Sequence, residues 1–329
     1  MKNCAEFKHR VDYLQIRGNA KKSLSATLTF ERVSTLAHAY NRLTSLSLRG
    51  FSLSHNTLLS IPSTLRELEL SNVSIESDSD PIGETPGPSP RPCLRKFSIT
   101  TSDSLVSWLR QPHCRLDLSQ LETFLLCHEL HPVSLGVVRS FLDLVAPSVE
   151  HLFLTVPHKD TYRFTNPPLP VRELVKIQSL SFRLGTRSDQ FGWIIDFLRN
   201  LPDPQLKEIC IYTRNLDWGL AHASSGWPAL DSEFSLSPFN LTRVYLYPYA
   251  WKSQYTREEE DEALLAALFR LVPTLHGQGR FTVIPSFGPS CPTNNGCTGP
   301  LSSLRPTYIP VGSSPAEYSN PYGHFRGCW

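Results

Sequence analysis

Long apolar runs are missing from this chain. No stretch of about 18 apolar residues occurs, and the opening residues MKNCAEFKHRVDYLQIRG lack the apolar core of a signal peptide, so neither secretion nor membrane spanning is expected. Charge of one sign is missing as well. The 32 basic and 30 acidic residues leave a formal charge of +2, which supplies no field able to hold nucleic acid or an anionic membrane surface. Cys4, Cys93, Cys114, Cys127, Cys210, Cys291, Cys297 and Cys328 form no compact framework and read as reduced thiols. Together these absences predict an intracellular protein, cytoplasmic or nuclear. The glycosylation sequons at Asn72-Val73-Ser74 and Asn240-Leu241-Thr242 carry no weight without a secretory route.

Catalytic and cofactor signatures are equally sparse. There is no GxSxG elbow to present a nucleophilic serine. The segment HGQGRF, His276 to Phe281, holds one GxG, but it follows a helical pattern and lacks a third glycine, so it reads as a helix C-terminal cap rather than a phosphate cradle. His113, Cys114, Cys127, His128 and His131 are zinc-ligand types within 19 residues, yet no CxxC or HxxxH spacing organises them. No catalytic residue, cofactor or metal is expected. The alternative is an enzyme, a hydrolase or metal protein, with its site on the connecting loops.

What is present is an apolar triplet at a recurring interval. An apolar residue followed by others three and five places on occurs at Val11-Leu14-Ile16, Leu43-Leu46-Leu48, Leu65-Leu68-Leu70, Leu94-Phe97-Ile99, Leu121-Phe124-Leu126, Val149-Leu152-Leu154, Ile177-Leu180-Phe182, Leu206-Ile209-Ile211 and Leu241-Val244-Leu246. Between Leu65 and Leu206 the starts are 27 to 29 residues apart. Each triplet alternates as a short strand with one buried face.

The connections often carry a helical period instead. Val138, Phe141, Leu142 and Val145 follow it, as do Phe191, Ile194, Ile195 and Leu198, then Val33, Leu36, Ala37 and Tyr40, and more briefly Leu105, Trp108 and Leu109. The last long helix is announced by Thr256 with Glu259, a capping box, continues through Leu264, Leu265, Leu268 and Leu271, and stops at Pro273. RFTVIP, Arg280 to Pro285, reads as a final strand. Units of this size bury their faces only by stacking on neighbours, which predicts an α/β horseshoe or arc.

This pattern resembles the leucine-rich-repeat superfamily across about residues 11 to 285. The resemblance implies a solenoid of parallel strands with helical or irregular crossovers. At the ninth position, where that family prefers Asn or Cys, this chain has Asn19, Phe51, Val73, Ser102, Glu129, Pro157, Gly185, Arg214 and Tyr249, so no regular asparagine ladder is expected. The irregular units are most similar to the repeat regions of fungal F-box/leucine-rich-repeat-like proteins. In those an F-box docks on a ubiquitin-ligase adaptor while the repeats hold a substrate. With about ten residues ahead of Val11, no F-box is expected here, and no adaptor binding.

The expected organisation is therefore a lead over 1–10, a repeat domain over 11–285 interrupted by an exposed acidic, Pro-rich loop over 76–93, and a disordered Pro/Gly/Ser-rich tail over 286–329. Residues that alternate with the triplets face away from the core. They begin charged or polar, with Gln15, Arg17, Ser47, Arg49, Glu67 and Glu69, and turn apolar and aromatic with Leu125, Phe153, Tyr212, Tyr245 and Tyr247. These last five form the candidate partner-binding surface of a non-enzymatic protein-interaction scaffold. The competing expectation is that the segment YTRNLDWGLAHASSGWPALDSEF, or the tail, covers them.

Overall fold

In a computed structural model of the chain, the described residues are 12–17, 42–50, 52–54, 61–71, 73–76, 91–100, 108–109, 114, 116–126, 139, 141–155, 171–184, 190–202, 205–213, 226–236, 239, 241–248 and 258–284. They belong to the first of two compact units, Met1–Phe287 and Gly288–Trp329.

Twelve strands are described: β1 (Tyr13–Arg17), β2 (Ser45–Arg49), β3 (Ser52–Ser54), β4 (Glu67–Ser71), β5 (Ser74–Glu76), β6 (Lys96–Thr100), β7 (Thr123–Leu126), β8 (His151–Thr155), β9 (Ser179–Arg183), β10 (Glu208–Thr213), β11 (Arg243–Pro248) and β12 (Phe281–Val283). Ten of them form one sheet in the order β1-β2-β4-β6-β7-β8-β9-β10-β11-β12, with every neighbour parallel. The remaining two, β3 and β5, pair in parallel as a small second sheet.

The register explains the triplets. One apolar row crosses all ten strands through Leu14, Leu46, Leu68, Phe97, Phe124, Leu152, Leu180, Ile209, Val244 and Phe281. Two residues on, a second row runs from Ile16 through Leu48, Leu70, Ile99, Leu126, Leu154, Phe182, Ile211 and Leu246 to Val283. From Leu46 to Leu246 the members of both rows are buried, because a period of two keeps them on one face. At β1, Leu14 and Ile16 are only half-buried against that core.

Helices and turns cover this face. Residues 141–145 are helical and bury Phe141, Leu142 and Val145, and Trp108 and Leu109 lie in a shorter helical piece. Helix α1 (Gln190–Arg199) buries Phe191, Ile194, Ile195 and Leu198 at the expected spacing, and also Trp193 and Phe197, which meet Phe182 of β9 edge-on. Helices α2 (Gly226–Ser235), α3 (Glu258–Leu271) and α4 (Pro273–Gly277) complete the C-terminal end. Leu268 of α3 is buried, with Leu265 and Leu271 packed beside it. Pro273 opens α4, and beyond its end Gly279 turns through φ 65° into β12.

A backbone device sets the entry of the strands. The carbonyls of Asp12, Thr44, Arg66, Arg95, Glu122, Glu150 and Gln178 each accept two successive N–H groups from the next unit in the sheet, at 2.7–3.3 Å. Arg95 and Lys96 donate to Arg66, for example, and Glu122 and Thr123 donate to Arg95. This main-chain ladder at the N-terminal edge of the strands satisfies groups that would otherwise be orphaned beneath each crossover.

Two features differ from the sequence reading. Leu241 is 84% exposed, so it is not the first member of a buried triplet. Phe239 and Thr242 are buried instead, and the Thr242 hydroxyl donates to the Leu206 carbonyl at 2.9 Å. The C-terminal part of the segment expected as a covering loop is α2, which buries Trp227, Leu230 and Phe234 on the core side of the sheet, and residues 214–225 lie outside the described residues. Of the 76–93 segment only the ends are described: Glu76 closes β5, Pro92 is buried and Cys93 bridges to Asp117, while residues 77–90 lie outside the described residues. The expectations for Val11, the helical pattern from Val33 to Tyr40, Leu105, Val138, Thr256, the Leu264 side chain and the tail lie outside the described residues.

Candidate protein-binding face

The face of the sheet opposite the core carries its own cross-strand rows. One runs Gln15, Ser47, Glu69, Ser98, Leu125, Phe153, Ser181, Cys210, Tyr245, Thr282. Toward the C-terminal ends of the strands, Thr155, Arg183, Tyr212 and Tyr247 form a segment of the next row. The fold thus brings Leu125, Phe153, Tyr212, Tyr245 and Tyr247 onto one side of five consecutive strands, β7 to β11.

Their surroundings are unequal. Leu125 and Phe153 are buried, at 5% and 7% exposure, while Tyr212, Tyr245 and Tyr247 are half-buried. The Tyr212 and Tyr247 rings stack at 4.9 Å between centroids and 12° between planes. Phe153 reaches Tyr212 at 5.5 Å, tilted by 51°, across the small Ser181 of the intervening strand. Offset contacts of this kind add to simple area burial and hold rings in place. Underneath, the Cys210 thiol is hydrogen-bonded to the Ser181 and Tyr247 side chains. The result is a braced aromatic surface on a rigid sheet.

Among the described residues, the thiols of Cys93, Cys114 and Cys210 are shifted away from nucleophilic reactivity. Burial pushes Cys210 up to about 12. Desolvation also raises Cys93 and Cys114. A nucleophilic cysteine needs the opposite shift. Asp117 is held below its ordinary value by hydrogen bonds from Ser119 and stays an acceptor. Among the described residues no three His, Cys, Asp or Glu side chains come together as a metal site. His113, Cys127, His128 and His131 lie outside the described residues, and Cys114 is buried.

No protein-family model matches the chain, and no curated protein matches it. Among solved structures, the leucine-rich-repeat-containing protein LegL7 from Legionella pneumophila aligns over 82% of this chain and 94% of its own, with 16% identity and a TM-score of 0.36. The strand order and register decide the fold class. It is a leucine-rich-repeat-like α/β solenoid. Among the described residues no helix is long and apolar enough to cross a membrane.

The sequence placed Ser47 and Glu69 at the polar end of the same face but drew the candidate surface from the five apolar and aromatic residues alone. There Ser47, Ser71 and Ser98 are buried with hydroxyls that have no hydrogen-bond partner. Their place in the alternation is visible in the sequence, whereas their lack of partners is not.

Proposed function

We propose that the chain is a non-enzymatic protein-interaction scaffold whose partner docks on the sheet face opposite the core, anchored by Tyr212, Tyr245 and Tyr247 beside Phe153 and Leu125. The observation that carries this reading is the Tyr212–Tyr247 stack, half-buried, and fixed to a ten-stranded sheet. Aromatic rings already held in place bury much area on binding at little entropic cost. A protein is favoured over nucleic acid because the chain is close to neutral, at +2. Free Cys93, Cys114 and Cys210 fit a reducing, intracellular setting. The finer reading, a repeat region that holds a ubiquitin-ligase substrate, rests on the resemblance of the irregular units alone.

The test is quantitative affinity capture from source cells with the wild-type chain and a Tyr245→Ala/Tyr247→Ala variant. The expected result is a protein captured by the wild type and lost by a variant whose melting temperature is unchanged. Identical captured sets would refute the face.

A further inference from the structure

Glu69 occupies the middle of the second face on β4, and its direct cross-strand neighbours are Ser47 of β2 and Ser98 of β6. Adjacent strands lie about 4.8 Å apart, so both serines are direct neighbours of the Glu69 position. Ser47 and Ser98 are 1% and 4% exposed, and neither Oγ has a hydrogen-bond partner. Ser71, two residues along the same strand face, is in the same state. Such groups are rare in folded proteins because each loses its water without a replacement.

The carboxylate between them is also unmatched. Glu69 is half-buried, and among the described residues none lies within hydrogen-bond or ion-pair distance of it. Several other acidic side chains among the described residues are engaged. Glu67 accepts from Ser45, Glu122 faces Arg95, Glu150 accepts from Gln178, and Glu233 holds Arg199. The cations nearest in register, Arg49 and Lys96, sit opposite Ser71 and Glu67 and form no ion pair with Glu69.

We propose that Glu69, with Ser47 and Ser98, receives a lysine or arginine side chain of the protein partner. The inference rests on the reading that this face binds protein, and it names the chemistry the partner brings. An ammonium or guanidinium has only donors to offer, and here a partly desolvated carboxylate and two hydroxyl oxygens have accepting capacity unused. Six strand steps separate Glu69 from Tyr245 in the same row, about 29 Å at the usual strand spacing. An extended segment rising about 3.3 Å per residue would place its basic residue about nine positions from the residue held by the tyrosines.

The experiment uses the full chain and a displayed library of random peptides of about 15 residues, long enough for that span. Wild type, Glu69→Gln and the Tyr245→Ala/Tyr247→Ala variant are selected in parallel, after matched melting curves show that all three are folded. The expected outcome is that wild type enriches peptides with Lys or Arg about nine positions from an apolar or aromatic residue. Glu69→Gln should retain the apolar preference and lose the basic one. A wild-type-selected peptide should bind Glu69→Gln about tenfold more weakly at low salt, with the gap narrowing as salt rises. Ser98→Ala should weaken the same peptide without lowering the melting temperature. Wild-type peptides without basic enrichment, or with an enrichment that Glu69→Gln leaves intact, would overturn this inference while the tyrosine face stood. Failure of the wild type to select any peptide that the tyrosine variant loses would overturn both.

Discussion

Replacing Asp231 with Ala should loosen the C-terminal end of the solenoid, by an amount that can be worked from its contacts. Asp231 lies on α2, is buried, and accepts hydrogen bonds from the backbone N–H groups of Thr274 at 3.1 Å and Leu275 at 2.8 Å. Those groups are in the first turn of α4, whose own N-cap residue, Val272, makes no side-chain cap. The carboxylate is therefore a cap supplied by another helix. Hydrogen bonds to a charged acceptor contribute about 1.5–3 kcal/mol each, and loss of a cap costs about 0.5–2 kcal/mol, so the two bonds together should be worth about 3 kcal/mol. Asp231→Asn keeps one accepting oxygen and should lose about half of that. At 1.4 kcal/mol per tenfold, the Ala variant should speed exchange of the Thr274 and Leu275 amides by about 100-fold. Native-state hydrogen exchange of α4 and β12 is the direct assay, because an array that opens from its end shows the loss locally before it shows in a global melt. Unchanged exchange at those two amides in Asp231→Ala would refute the cap.

Two further expectations follow from the core and the thiols. Leu180→Asp places a carboxylate in the middle of the first apolar row, at a site with no exposure; it should cost several kcal/mol and melt neighbouring units together, and wild-type melting would mean that the register is wrong. Because burial raises Cys210 from 9.0 to about 12, the folded chain keeps a proton that the unfolded chain has already lost in that interval. Stability should therefore be insensitive to this thiol below about pH 9 and fall as pH rises toward 12. Denaturant titrations from pH 8 upward should show a flatter decline in Cys210→Ala, and wild-type Cys210 should resist thiol reagents until the protein unfolds.

The array was legible because its signal is local. A buried row every two residues, repeated by a parallel register, leaves the same triplet in each unit, and α1 shows its period in Phe191, Ile194, Ile195 and Leu198. The reading failed where contacts from elsewhere decide. Leu241 has the right spacing, but the Arg280 guanidinium binds the carbonyls of Phe234, Phe239 and Thr242, and in that turn Phe239 rather than Leu241 is buried. Helix α2 was missed although Trp227, Leu230 and Phe234 have helical spacing, because it begins at the glycine of a Ser-Ser-Gly stretch and contains Pro228. Its first residue shows why glycine stands there: a Cβ on Gly226 would come within 2.6 Å of the Phe191 side chain. Of the candidate face, residue types and side were legible. The depth of Leu125 and Phe153, and the missing partners of Ser47 and Ser98, depend on packing from other strands.

The paired N–H donors at seven strand entries, those of β2, β4 and β6 to β10, have a consequence for how such a chain can change. Whichever path a crossover takes, it returns to a single peptide carbonyl of the preceding unit, and no particular side chain is needed to find it. The triplet starts from Leu43 onward are 22 to 35 residues apart. A loop can therefore be lengthened, shortened or exchanged without shifting the strands beyond it, since loop-closure entropy grows only slowly with length. Diversity can accumulate in the crossovers while the spacing of side chains across the sheet, and with it the geometry offered to a partner, is inherited unchanged.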